Sequence, residues 1–420
     1  MKTLTLLFTA LICQFSSFAQ KECASATYAD KMAQEDPSFK LRLLKANISL
    51  SSNGQNSESE SGYMSPSTII TIPVVVHIVY NNDAMNISDD QINSQIEALN
   101  ANYNKNNSDF NKVPAAFSKF AGTSNIRFEL AKVDPNGRAT NGITRKKSSR
   151  EIWTSDDKVK SIAHGGEASW DASSYLNIWI CNTVSGLLGY SSPVGAAADK
   201  DGIVIRFNAF GTRGNVTAPF HLGRTAVHEV GHWLNLKHLW GDGECGSDEV
   251  DDTPAQRTYN RGIPSFPLVS TACSSSTANG VMFMNFMDFT DDAGMMMFTN
   301  GQVSRMRNLF QTGGLRNSIL SSKALGKPWI TNPVETVSNI SADVIAMQVK
   351  LYPNPASSFI MLELTNPISI EKGYNIYAAD GRKVAQGAIN VENNRINIQS
   401  LNAGIYFVKV GERMVRFVKN

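Results

Sequence analysis

One eleven-residue stretch restricts the local fold more than any other part of the chain. It reads His228-Glu229-Val230-Gly231-His232-Trp233-Leu234-Asn235-Leu236-Lys237-His238. On a helix, His228 and His232 project from the same face because they are four residues apart. His238 can join them only if the helix ends first, and Asn235 suits that turn because asparagine tolerates the left-handed backbone that ends helices. The stretch therefore predicts a helix, a sharp turn and three converging imidazoles.

Three converging imidazoles are typical of a catalytic zinc site. Zinc held by three protein ligands keeps a fourth position for water, whereas structural zinc is closed by four. Glu229 stands beside the first ligand but off its axis, where a carboxylate can take a proton from the attacking water. The alternative is a helix whose histidines are core or surface residues. The histidines outside the motif, His77, His164 and His221, are expected to be structural or solvated.

The motif resembles the metzincin zinc signature H-E-x-x-H-x-x-G-x-x-H, with Asn235 in place of the usual glycine. Downstream, residues 285–292 (Asn-Phe-Met-Asp-Phe-Thr-Asp-Asp) resemble the Met-turn of the pappalysin family, and residues 176–181 and 186–190 resemble its upper subdomain. The resemblance covers about 72–309. It implies a secreted zinc endopeptidase with an α+β metzincin-like domain, in which a mixed twisted sheet and an active-site helix lie above an irregular lower subdomain. Met287 would form the apolar floor under the zinc, and Phe289 replaces the family's common tyrosine.

The resemblance also implies a preference for arginine or lysine just after the cleaved bond. Asp291 or Asp292, beside the Met-turn, would supply the complementary charge. Residues 46–104 contain no lysine or arginine, so an enzyme restricted to basic residues could not cut there. We therefore expect that another protease removes the N-terminal segment, or that specificity is broader.

The N-terminus has the pattern of a secretory signal over residues 1–19. Lys2 is followed by an apolar stretch, Leu4 to Cys13, and then by Ser17-Phe18-Ala19 before a cleavage point. No later segment is apolar for long enough to span a membrane. Residues 20–66 have the layout of a pro-peptide and flexible linker, although an ordinary extension is the alternative. Cys23 lies in this segment, and the resemblance implies a latch in which its thiolate ligates the zinc; a passive cysteine is the alternative.

The far end of the chain differs in composition from the middle. We assign residues 67–325 to the catalytic domain, 326–348 to a linker and 349–420 to a small β-sandwich of short strands with turn signals such as Asp380-Gly381. The last segment resembles the type A sorting domain of the type IX secretion system of Bacteroidota, through Tyr352-Pro353-Asn354-Pro355 and Ala403-Gly404-Ile405-Tyr406. This implies export through the periplasm to the outside or the cell surface. A binding sandwich is the alternative.

An acidic loop follows the zinc motif. Six carboxylates fall within eleven residues, Asp242, Glu244, Asp248, Glu249, Asp251 and Asp252. Crowded hard oxygen ligands favour calcium, and the resemblance implicates Asp248 and Thr253; a solvated acidic loop is the alternative. Cys245 and Cys273 flank the loop and are expected to pair in a secreted protein. Cys181 is expected to be a buried thiol.

Composition excludes several classes of protein. With 39 Lys and Arg against 37 Asp and Glu, the net charge is only +2, so no basic field for nucleic acid is expected. The expected partners are protein or peptide substrates and the type IX secretion machinery, with a monomeric chain. Two other functions stay open, a non-catalytic surface adhesin stabilised by zinc and a zinc hydrolase of another amide or ester.

Overall fold

The computed structural model describes residues 22–36, 38–39, 41–42, 65–273, 278–330, 348–365, 373–388, 395–410 and 413–420. The expected signal peptide and most of both expected linkers lie outside these residues. The chain divides into two units, Met1–Asn332 and Pro333–Asn420, at a point inside the second expected linker. Among the described residues, no helix is both long and apolar enough to cross a membrane.

The first unit mixes helices and strands. Its described α-helices are α1 Ser25–Glu35, α2 Asp89–Tyr103, α3 Ala115–Ser118, α4 Arg224–Trp233 and α5 Asn300–Asn308. Its strands are β1 Glu22–Cys23, β2 Ile70–Tyr80, β3 Ile126–Leu130, β4 Ile143–Lys147, β5 Leu176–Cys181, β6 Leu187–Ser191 and β7 Ile203–Arg206. Short 3-10 turns span Phe110–Lys112, Lys158–Lys160, Ile162–His164, Phe207–Ala209, Asp292–Gly294 and Asn317–Ser321.

The strands form one mixed sheet in the order β1-β6-β7-β5-β2-β3, with β4 also paired to β2. The long strand β2 is central and pairs in parallel with β3, β4 and β5. Its β-branched run is almost completely buried, as expected for a parallel strand covered on both faces. Strand β6 runs antiparallel to β7, and its outer edge carries only the two-residue strand β1. The N-terminal segment therefore closes the sheet on the side of β6.

Helix α2 holds the motif-bearing helix α4 against the sheet. Ser88 caps the start of α2, because its hydroxyl accepts a hydrogen bond from the Gln91 amide. The Gln95 side chain donates to the Gly223 carbonyl at 2.9 Å, where a left-handed glycine precedes α4. The Tyr103 hydroxyl donates to the Val227 carbonyl at 3.1 Å. These contacts fix the start and the direction of α4.

After α4 the chain becomes irregular and forms the lower part of the first unit. A methionine-rich run supplies much of its core, with Met282, Met284, Met287, Met295 and Met297 all fully buried. Methionine fills irregular gaps because its side chain is unbranched and flexible. The mixed upper sheet and irregular lower part confirm the expected α+β fold class.

The second unit consists of two small antiparallel sheets. Its strands are β8 Gln348–Tyr352, β9 Phe359–Thr365, β10 Tyr374–Ala378, β11 Lys383–Gly387, β12 Arg395–Asn397, β13 Gly404–Val410 and β14 Arg413–Lys419. One sheet has the order β11-β10-β13-β14 and the other β12-β9-β8. Gly381 takes the left-handed conformation in the β10–β11 turn, as its sequence predicts. Ile360, Ile376, Val408 and Phe417 fill the core between the strands, which agrees with a small β domain.

Candidate active site

Helix α4 bears the first two histidines of the motif and packs against Met287. His228 is completely buried, and His232 lies one turn further along the same face. Between them, a Cβ atom added at Gly231 would lie only 2.6 Å from the Met287 sulfur. Glycine at this position therefore lets the helix rest directly on Met287. Met287 thus packs against α4 at Gly231, between the two histidines in the sequence.

The chain reverses after α4 and returns the third histidine. Asn235 adopts the left-handed conformation, with φ of 70°, and the Leu236 amide donates back to the Gly231 carbonyl at 2.9 Å. The Nε2 atoms of the three histidines then lie close together. His232 and His228 are 3.1 Å apart at Nε2, His232 and His238 are 3.0 Å apart, and His228 and His238 are 3.3 Å apart.

Each of these histidines has an acceptor at its other ring nitrogen. Nδ1 of His228 faces the Phe286 carbonyl at 2.7 Å, and Nδ1 of His232 faces the Leu236 carbonyl at 2.8 Å. Nδ1 of His238, which lies outside the helix, faces the Asp242 carboxylate. Because a carbonyl or carboxylate can only accept, the hydrogen resides on Nδ1 and the three Nε2 lone pairs are free to converge.

The converged nitrogens fit a zinc ion. Tetrahedral ligands at zinc–nitrogen distances of about 2.0–2.1 Å are separated by about 3.4 Å, close to the observed spacings. Burial and the nearby His238 lower the pKa of His232 to about 3, so its neutral, metal-binding form prevails. The Cys23 sulfur completes a group of four ligand atoms that all lie within 4.8 Å of one another.

Glu229 is buried between α4 and the strand β6. Its side chain is so close to β6 that a Cβ at Gly189 would lie 3.0 Å from the Glu229 Cγ. The Ser25 hydroxyl donates to Glu229 Oε2 at 2.8 Å, and the Cys23 thiol lies 3.5 Å from the same oxygen. Burial and the Glu229 charge raise the pKa of the Cys23 thiol well above its usual value. A cation bound between the Cys23 sulfur and the Glu229 carboxylate would favour the thiolate form of Cys23.

The N-terminal segment follows the outer edge of β6 through the centre of the site. Strand β1 pairs in parallel with β6, placing Cys23 opposite Gly189. The Ala24 amide donates to the Gly189 carbonyl at 3.3 Å, and the Ser191 amide donates to the Ser25 hydroxyl at 2.8 Å. The segment therefore occupies the Gly189 carbonyl and the Ser191 amide on the edge of β6. Sequence patterns gave no signal for Ser25, since its partners are distant in the chain.

Aromatic rings enclose the loop-borne His238. The Trp240 ring stacks on it with centroids 4.3 Å apart, and the Phe289 ring meets it edge-on at 4.9 Å. Tyr259 lies 5.3 Å from Phe289 between ring centroids. Phe289 thus packs against the third histidine of the motif.

The two aspartates after the Met-turn have different environments. Asp292 is completely buried, and its Oδ2 accepts hydrogen bonds from the Leu222 and Arg224 amides at 2.7 and 3.3 Å. It therefore supports the start of α4. Asp291 is only half-buried, and its amide donates to the Gly262 carbonyl at 2.9 Å.

The acidic loop is largely neutralised by protein groups. Glu249 pairs with Lys237 and Arg305 at 2.6 and 2.7 Å. Asp252 accepts hydrogen bonds from Thr299 and the Gly301 amide, and Asp242 is held by His238. Asp251 is exposed, so the six carboxylates do not gather around one point.

Asp248 is the buried carboxylate of this loop. Burial raises its pKa to about 6, and the Thr253 hydroxyl donates to its Oδ2 at 2.8 Å. The expected disulfide between Cys245 and Cys273 is confirmed, and Cys181 is a buried free thiol. Among the other histidines, His77 is buried and hydrogen-bonded to Thr144 and Asn177.

Two segments of the chain match known families. Residues 156–311 match the family described as pregnancy-associated plasma protein-A, and residues 350–419 match the secretion system C-terminal sorting domain. An extracellular metalloprotease of Coccidioides posadasii is 30% identical over 200 residues, which are 45% of this chain and 68% of that protein.

Two solved structures from Tannerella forsythia are similar. A promirolysin mutant has a TM-score of 0.66 and 43% identity, covering 74% of this chain and 100% of that chain. Mature mirolysin in complex with a cleaved peptide has a TM-score of 0.60 and 48% identity, covering 64% of this chain and 100% of that chain. The pro-form therefore matches a larger share of this chain than the mature form does.

Proposed function

Because the chain belongs to the pregnancy-associated plasma protein-A family of metalloendopeptidases, we propose that it hydrolyses peptide bonds with Glu229 as general base. The zinc ion implied by the family would be held by His228, His232 and His238. The observation that carries this proposal is the convergence of three Nε2 atoms beside a buried carboxylate. A purely structural metal site has no use for a base at that position.

The chemistry is divided between the metal and the protein. When bound, zinc polarises the scissile carbonyl and acidifies the attacking water. Glu229 accepts the proton of that water and then passes it to the leaving amine. The β6 edge orients an extended substrate, because the Gly189 carbonyl and the Ser191 amide offer one acceptor and one donor.

The segment from residue 20 to 66 is proposed to keep the precursor latent. Cys23 would ligate the zinc as a thiolate, and its sulfur lies with the three histidine nitrogens. Ser25 holds the proposed base at the same time. The larger match to a pro-form than to a mature form supports a removable segment. Removal opens both the metal and the carboxylate to substrate.

A preference for arginine or lysine after the cleaved bond is proposed to depend on Asp291 and Asp292. Their neighbouring carboxylates follow the Met-turn directly. Since Asp292 also supports α4, replacing it should lower both the preference for basic residues and stability. Replacing the half-buried Asp291 should affect specificity with less effect on the fold.

One structural calcium ion is proposed at Asp248 and Thr253. A buried carboxylate with a raised pKa is costly to ionise, and a divalent cation would remove that cost. Asp242, Glu249 and Asp252 are engaged by other groups of the protein, and Asp251 is exposed, so the site is proposed at Asp248, Thr253 and nearby backbone oxygens.

Export is proposed to proceed through the type IX secretion machinery, with the second unit as the sorting signal. The match of residues 350–419 to a secretion sorting domain supports this route. Relatives described as extracellular metalloproteases support action outside the cell. We propose that this unit is removed after export and that the exported enzyme acts as a monomer.

The proposed activity is tested with processed protein, a denatured protein substrate and a metal chelator. Cleavage that disappears with chelator and returns with zinc supports the proposal. Glu229→Gln should lower kcat about 100- to 10,000-fold, the usual contribution of a general base, while zinc content stays unchanged. Zinc binding without cleavage of any polypeptide would favour an adhesin. Cleavage confined to small amides or esters would favour another hydrolase.

A further inference from the structure

The first helix of the N-terminal segment inserts a tyrosine into the catalytic unit. Tyr28 on α1 is only 3% exposed, and its ring centroid lies 5.1 Å from that of Tyr190. Its hydroxyl donates to Asp157 Oδ2 at 2.6 Å. The Lys160 ammonium lies 5.2 Å from the centre of the same ring. The pocket therefore contacts both the face of the ring and the phenolic hydroxyl.

The polar groups at the base of this pocket, which we call its polar floor, surround Lys160 and come from outside the N-terminal segment. The Lys160 ammonium donates to the Ser192 hydroxyl at 2.9 Å and the Lys200 carbonyl at 2.7 Å, and pairs with Asp157 Oδ1 at 2.9 Å. These partners all belong to the first unit downstream of the linker. The Lys160 side chain is 1% exposed when α1 is in place, and its three polar partners all belong to its own domain.

One carboxylate oxygen of this floor is left for an incoming donor. Asp157 Oδ2 accepts from Tyr28, and its other neighbour is the half-exposed Lys200 ammonium at 3.8 Å. When α1 leaves, that oxygen loses its phenolic donor while Lys160 keeps its place. The vacated pocket would then offer a cation for an aromatic face and an acceptor for a hydroxyl.

The pocket lies next to the catalytic centre. Ser25 and Tyr28 are three residues apart on α1, and Ser25 contacts both Glu229 and the Ser191 amide. Ser192, the next residue of the chain, binds Lys160. One helical turn rises about 5.4 Å, and an extended peptide advances about 3.3 Å per residue. A substrate side chain two or three positions from the cleaved bond is therefore within reach.

We propose that this pocket binds a tyrosine side chain of the substrate once the N-terminal segment has left, so that Tyr28 occupies a substrate subsite in the precursor. This inference rests on the proposed peptidase function and on removal of the segment. The chemistry selects a phenol. Phenylalanine would leave Asp157 Oδ2 without its donor. A lysine or arginine could donate to Asp157 but would bring a second cation beside the Lys160 ammonium, and an acidic side chain would bring a second carboxylate beside Asp157.

The first test uses processed enzyme and peptides that carry a single tyrosine at successive positions around one cleaved bond. At the best position, tyrosine is then replaced by phenylalanine, O-methyltyrosine and alanine. We expect kcat/KM to fall about 10- to 100-fold from tyrosine to phenylalanine, as for loss of a hydrogen bond to a charged group. O-methyltyrosine should behave like phenylalanine or worse. If tyrosine and phenylalanine differ by less than two-fold at every position, the subsite is refuted.

A second test separates this inference from the activity itself. A labelled synthetic peptide of residues 20–45 is titrated onto processed protein, with tyrosine or phenylalanine at position 28. Binding about ten-fold weaker with phenylalanine supports a phenol-binding pocket even in a preparation that cleaves nothing. Equal binding of the two peptides, or no binding of either, overturns it. Failure to cleave even the alanine-containing peptide would count against the proposed function alone.

Discussion

The hydroxyl of Ser25 donates a hydrogen bond to Glu229 across 2.8 Å, joining residues 204 positions apart in the chain. The same hydroxyl accepts from the Ser191 amide at 2.8 Å. The Ser25 side chain thus forms hydrogen bonds both to the proposed base, Glu229, and to the edge of the neighbouring strand β6. In the proposed latent precursor, inhibition would then depend on two groups, the thiol of Cys23 and the hydroxyl of Ser25.

Replacing Ser25 by alanine in the full chain should partly release this latency. Loss of a hydrogen bond to a carboxylate weakens segment binding by about 1.5–3 kcal/mol, so residual activity of the intact precursor should rise about 10- to 100-fold. Thr27→Ala is the matched control, because Thr27 is on the same helix and its hydroxyl binds only the Ala24 carbonyl. Activity is measured while mass spectrometry shows the chain to be uncut. Equal activity of the two variants would contradict a role for Ser25.

Asp242 should act as a positioning residue for the zinc ligand His238. The helix-borne ligands are oriented by backbone carbonyls, whereas His238 depends on a side-chain carboxylate in the loop. Asp242→Asn should therefore weaken zinc affinity about 10- to 100-fold, measured by competition with a chelator. Asp251→Asn, an exposed carboxylate in the same loop, should leave the affinity unchanged. Equal affinities in both variants would show that Asp242 does not position the ligand.

Asp248 should make stability depend on pH when calcium is absent. Burial raises its pKa in the folded chain to about 6, above the ordinary value of about 3.9 in an unfolded chain. The stabilising effect of the protonated form is complete below pH 4 and is lost as pH rises through 6, a change of about 3 kcal/mol.

Calcium should remove this loss by pairing with the ionised carboxylate. Unfolding in urea is measured between pH 4 and 7, with and without calcium, for the wild type and Asp248→Asn. The variant should lack both the calcium response and this part of the pH dependence. If calcium still stabilises Asp248→Asn, the ion does not bind at Asp248.

Gly231→Ala should strain the contact between α4 and the Met-turn. The added Cβ would lie 2.6 Å from the Met287 sulfur, and overpacking of this kind costs about 1–3 kcal/mol. Gly243→Ala is the control, since a Cβ at Gly243 meets no atom within 4 Å. Thermal unfolding is the measurement. A Tm unchanged in both variants would mean that Met287 moves aside freely.

Local patterns were enough to predict the helix, the turn at Asn235 and the convergence of His228, His232 and His238. Helical periodicity and the conformational tolerance of asparagine act over a few residues, so the sequence carries them directly. The hairpin at Gly381 follows from a similarly local signal. The Cys245–Cys273 disulfide could be predicted because the two cysteines are close in the sequence and the protein is exported.

The partners of these groups depend on contacts between distant segments. Asp242 lies in the acidic loop, and only the tertiary structure shows that its carboxylate faces His238. The sequence places Asp292 just after the Met-turn, and only the tertiary structure shows that its Oδ2 supports the start of α4. Ser25 on Glu229 and Tyr28 on Asp157 join residues more than 100 positions apart. Periodicity and propensity act along the chain and cannot specify such pairs, which arise only when β6, α1 and α4 pack together.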